Sequence, residues 1–129
     1  MNELSNRFEW DVLVRNMRQQ HASLSALDSS GWAHKIQGAM NRLPYLKSLG
    51  NIRLDDDSIA VGFKVVLKEV VNNLSAVQTD FRTVLKQHVI GSRVAHAAFS
   101  ATGTGFDVWL AILDEEERLF TAVIKVEAS

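Results

Sequence analysis

Apolar residues recur at helical intervals through the first fifty positions. Trp10, Leu13, Val14 and Met17 form one stripe, with Leu24 a candidate extension, and Phe8 and Val12 form a separate i, i+4 pair. Asp28, Ser29 and Ser30 then offer oxygens to cap a second helix, whose inner face reads Trp32, Ile36, Met40 and Leu43. Pro44 lacks an amide hydrogen and is expected to end that helix. The following "PYLKSL" reads as a short turn closed by Gly50 as a C-terminal cap.

The period then falls to two. Ile59, Val61, Phe63, Val65 and Leu67 alternate with Ala60, Gly62, Lys64, Val66 and Lys68. Folding the chain at "DDDS" sets Leu54 opposite Ile59 and Ile52 opposite Val61, which predicts a hairpin with one apolar face. From Glu69 the spacing returns to three and four through Val70, Leu74, Val77, Phe81, Val84 and His88. This predicts an amphipathic helix that Gly91 caps in a left-handed conformation. Three strands follow, at about 93–101, 106–113 and 119–126.

The expected fold is therefore α+β in the order ααββαβββ. A helical part (1–50) precedes a ββαβββ part (51–129) in a single domain, with one sheet packed against helices. In the three-stranded antiparallel meander, the loop "TGTG" pairs Ala101 with Phe106 and hence Ala98 with Trp109. The turn "DEEE" is expected to pair Leu113 with Arg118, which brings Phe120 opposite Ala111. Both faces of the central strand are then largely apolar, so the sheet should be covered on both sides. A phosphate loop would feed a helix N-terminus. Here Phe106, Val108, Leu110 and Ile112 follow at period two, so the "TGTG" glycines are assigned to positive-φ turn positions.

Composition narrows the function classes. The 129 residues carry a formal net charge of −1, which argues against a nucleic-acid or anionic-membrane partner. The helical half offers only a modest basic face in Arg15, Arg18, Arg42 and Lys47. No cysteine is present, which removes disulfides, thiolate metal sites and a cysteine nucleophile. The start "MNELSNRFEWD" lacks a basic and then apolar leader, so a cytoplasmic location is expected.

Ser100, His96 and Asp107 share a sheet face but do not make a triad. Ser100 and His96 are four residues apart on one strand, about 13 Å at roughly 3.3 Å per residue, whereas a base must lie within about 3 Å of its proton. Asp107 inside a sheet is the group to watch. It is read either as a polar anchor in a pocket with Trp109, Phe120 and His96, or as a strand-end carboxylate bonded to Ser100. His21, His34, His88 and His96 lack the i, i+4 spacing of a helical metal site, and "LDDDS" lacks the glycine and glutamate of a calcium loop. No cofactor is expected. The segment from Gly91 resembles the nucleotidyltransferase signature in Gly91–Ser92 and in Asp107 on a strand. Trp109 stands at the position of the second metal-binding carboxylate, so that resemblance implies a chain unable to hold two metal ions.

Two function classes follow. The first is a non-enzymatic interaction or regulatory module that self-associates or binds a protein partner. The second is a small-molecule binder or small enzyme with a pocket between sheet and helices around Asp107 and Trp109.

Overall fold

The computed structural model describes residues 1–68 and 73–128. Strand β1 (Asn2–Leu4) precedes helices α1 (Arg7–Gln20) and α2 (Ala26–Met40), then strands β2 (Leu46–Ile52) and β3 (Val61–Leu67). Helix α3 (Leu74–Leu85) runs into a π-helical turn (Lys86–Ile90), followed by β4 (Ala95–Ala101), β5 (Gly105–Leu113) and β6 (Leu119–Ala128). The architecture is α+β. The six strands lie in the order β1-β4-β5-β6-β3-β2, with β1 parallel to β4 and β3 parallel to β6. The expected self-contained meander is thus the middle of a mixed sheet, and the expected order lacked β1.

Helix α1 begins at Asn6, whose side chain accepts the Glu9 amide, and it buries Trp10, Val14 and Met17 as its stripe requires. Helix α2 starts earlier than expected. Ser25 caps it by accepting the Asp28 amide, so Asp28, Ser29 and Ser30 lie inside its first turns. Its inner face carries Trp32, Ile36 and Met40, with Leu43 buried just beyond.

The stretch expected to turn at Gly50 is strand β2. Leu46 pairs with Leu67 and Ser48 with Val65, which carries the hairpin's register into residues expected to be a turn, while the expected Leu54–Ile59 pair is absent from the β2–β3 ladder. A bulge between Ser48 and Asn51, where Gly50 takes φ +85, then shifts the pairing by one, so Ile52 faces Gly62 instead of Val61. The extra residue spaces Leu46, Leu49 and Ile52 by three, which conceals the strand. The predicted first turn of the third helix, including Val70, lies outside the described residues. At that helix's far end the π turn inserts one residue, so Val89 and Ile90 face inward and His88 faces solvent. Gly91 does take a positive φ of 59, but with ψ −130, outside the left-handed helical well.

The β4–β5 pairing matches the sequence reading, with Ala101 opposite Phe106 and Ala98 opposite Trp109. The β5–β6 pairing is displaced by one residue. Asp114 C=O accepts the Glu117 amide and Glu117 takes φ +59, and the paired residues Leu113 and Leu119 enclose five residues instead of the expected four. Leu113 therefore pairs with Leu119, and Phe120 with Ile112. The Asp114 carboxylate holds this turn by accepting the Glu116 and Arg118 amides at 3.0 and 2.8 Å. Burial opposes its charge, but those amides and the Arg118 guanidinium outweigh burial and keep its pKa below the usual carboxylate value.

Two apolar layers result. On one face Phe106, Phe120 and Ile124 pack against α2 and α3, with Phe81 of α3 edge-on to Phe106; on the other Trp109, Ala111 and Val123 pack against α1 and Ile59. Neither "TGTG" glycine has a positive φ, contrary to expectation. Gly105 is needed for a different reason: a Cβ there would sit 2.0 Å from the Val126 carbonyl oxygen. At Gly103 nothing lies within 4 Å of that position. Gly105→Ala is accordingly expected to lose about 2–3 kcal/mol of stability in denaturant unfolding, while Gly103→Ala stays within about 0.5 kcal/mol.

Candidate functional site

Trp109 anchors the sheet face beneath α1. Its ring lies 5.7 Å from that of Trp10, tilted by 49°, and the Arg7 guanidinium sits 3.7 Å from its centroid on the open side. Arg7 reaches this position because it lies three residues before Trp10, at the edge of the buried stripe. Its Nε donates to Asp11 Oδ1 at 3.0 Å, one helical turn on, and its Nη2 pairs with Asp56.

Asp56 belongs to the acidic connection between β2 and β3, which folds back over the sheet. Its Oδ1 accepts the Ser58 hydroxyl at 2.5 Å and the Ser58 amide at 2.8 Å. These two bonds, hydroxyl first, outweigh desolvation and, with Arg7, hold the Asp56 carboxyl below its ordinary pKa. The Ser58 carbonyl in turn accepts Arg18 Nη2 at 2.5 Å and Thr121 Oγ1 at 3.0 Å. Two arginines of α1 therefore clamp this connection, one through a carboxylate and one through main-chain oxygens.

Two shallow clefts flank Arg7. One, about 310 Å³, is lined by Arg7, Asp11, Val14, Arg15, Arg18 and Asp56 together with Ser58. The other, about 250 Å³, opens against Trp109, Val123 and Lys125, with Leu54 and Ile59 as its opposite wall.

The four candidate residues from the sequence do not converge. Trp109 does line the second cleft. Asp107 is two positions along β5 on the same face. Its ion-pair partner is Lys125 at 3.9 Å, directly across on β6, and not Ser100. Burial raises its pKa, while Lys125 and Arg7 pull it down. His96 sits on β4 beside β1, where Nδ1 lies 3.1 Å from Asn2 Nδ2 and burial lowers its pKa. Phe120 is on the opposite face, stacked on Trp32 at 5.4 Å, because the extra residue in the β5–β6 loop reverses the side its ring takes.

Among the described residues, no group of three His, Cys, Asp or Glu side chains is placed to hold a metal ion. The Gly91–Ser92 pair follows the π turn instead of opening a helix, and Trp109 is packed in the core. Arg7 and Asp56 were missed as a pair because 49 residues separate them. The i, i+4 spacing of Arg7 and Asp11 was the only local signal.

Arg7→Ala should lose about 1–2 kcal/mol, since it removes two part-exposed ion pairs and a cation–π contact. Arg15→Ala should stay within about 0.5 kcal/mol. For Asp107 the folded-state pKa is raised, so its charge opposes folding above that pKa. Asp107→Asn is therefore expected to be more stable than wild type at pH 7. The gap should close as pH falls and the wild-type carboxyl protonates, as read by urea unfolding at several pH values. Compared with known proteins, the chain matches no family model, no curated protein and no solved structure.

Proposed function

We propose that this chain is a small, single-domain, non-enzymatic interaction or regulatory module that associates with itself in the cytoplasm. The observation that carries this reading is a contrast in burial. Both faces of the sheet are closed by packed side chains, yet Phe8 of α1 is 74% exposed and Val12, one turn on, is 38% exposed. Interior side chains fill the space a substrate would need, and an apolar pair is presented to solvent where a second surface can cover it. Among the described residues no helix is long and apolar enough to cross a membrane, which is in keeping with this reading.

The small-molecule reading draws on the cleft at Trp109, where Arg7, Lys125 and an indole wall come together. Its size weighs against it. Ligand pockets usually enclose roughly 300–1,000 Å³, and this one offers about 250 Å³ without enclosure. One of its carboxylates, Asp56, is also engaged by Ser58 and Arg7.

Light scattering coupled to gel filtration tests the proposal over a hundredfold concentration range. A mass rising toward twice that of the 14.4 kDa chain is expected. A mass fixed at one chain throughout would overturn it.

A further inference from the structure

We infer that the partner is a second copy of this chain, docked through the outer face of α1 in an antiparallel, two-fold arrangement centred near Val12. The inference rests on the self-association reading above and adds the surface and geometry to it. An α-helix turns 3.6 residues at a time, so Phe8, Val12 and Gln19 fall together, opposite the buried Trp10, Val14 and Met17. Phe8 and Val12 are the apolar centre of that outer stripe and pack on nothing in this chain's two apolar clusters.

The polar residues beside the stripe identify the occupant. Asp11 and Arg15 lie along one edge, and Glu9 and Asn16 along the other. A two-fold axis perpendicular to the helix brings each edge against the same edge of the second copy, run in the opposite direction. Centred between Val12 and Leu13, it sets Glu9 level with Asn16 of the second copy and brings Asp11 within about one residue's rise, roughly 1.5 Å, of Arg15. Val12 then meets its own counterpart, and the helix dipoles oppose each other favourably. Every charge on the face finds an opposite charge or an amide. Asp11 Oδ1 accepts Arg7 Nε of its own chain, and its Oδ2 has no partner among the described residues. Arg15 has no hydrogen-bond or ion-pair partner among the described residues, so an Asp11 contact from the second copy would be its first.

A 14-residue helix is about 21 Å long. One such pair lies at the small end of specific interfaces, below roughly 1,200 Å², so a weak, concentration-dependent dimer is expected.

The chain contains no cysteine, which makes single-cysteine variants direct reporters. Val12→Cys should form a covalent dimer under mild oxidation, because the axis brings like residues within disulfide reach. Phe8→Cys should not, since antiparallel packing separates the two Phe8 positions. Val12→Asp should weaken the dimer at least tenfold in sedimentation equilibrium with unchanged thermal unfolding, because Val12 is already part exposed. Arg15→Asp should weaken it similarly, and Asp11→Arg combined with Arg15→Asp should restore it. If Phe8→Cys cross-links as readily as Val12→Cys, the antiparallel geometry is wrong. If a dimer persists unchanged in Val12→Asp, α1 is not the interface and the proposal falls while self-association stands. A wild-type chain that remains monomeric at every concentration removes both.

Discussion

The whole arrangement depends on β5 being buried on both faces. Phe106, Val108, Leu110 and Ile112 point one way, and Trp109 and Ala111 the other, and all are buried. A strand with two apolar faces cannot be left half in water. Burying one large side chain is worth about 1.5–3 kcal/mol, and β5 carries several on each side. Helices must therefore cover both layers: α2 and α3 one, α1 the other. Gly105 allows β5 to enter this sheet, since its missing side chain lets the Val126 main chain approach.

The second constraint is the turn between β5 and β6. With Glu117 at φ +59, the connection takes in Arg118 and is one residue longer than the four acidic positions suggest. That single residue sends Phe120 to the α2 layer, against Trp32, and leaves Trp109 to the α1 layer, against Trp10. Had both rings shared a side, a cavity between sheet and helices would have had aromatic walls. Divided, they fill two separate layers. What remains open lies at the surface, beside Arg7 and along the outer face of α1 among other places, which is why surface recognition is favoured over enclosure.

The readable parts of this fold were those fixed by local period and turn length. The α1 stripe and the β4–β5 register followed from spacing alone, because "TGTG" admits one pairing consistent with the alternation on both sides. The unreadable parts involved one-residue insertions or distant partners. The bulge at Gly50 broke the period of β2, the π turn rotated the end of the third helix and moved His88 outward, and the extra residue in the β5–β6 loop reversed Phe120. Strand β1, three residues long, has too few positions to show any period. The parallel pairing of β3 with β6 and the Arg7–Asp56 clamp join segments far apart in sequence, and no local pattern records them. The candidate site suffered accordingly. Strand alternation places Trp109, Asp107 and His96 on the correct face and Phe120 on the wrong one, and no local pattern beyond the i, i+4 spacing to Asp11 marks Arg7.

The division of the two aromatic rings is the point on which the account stands. Two-dimensional nuclear Overhauser spectroscopy on the intact chain measures it directly. Cross-peaks are expected between the Phe120 and Trp32 rings and between the Trp109 and Trp10 rings, with none between Phe120 and Trp109. A strong Phe120–Trp109 cross-peak would put both rings on one face and contradict the filled two-layer interior.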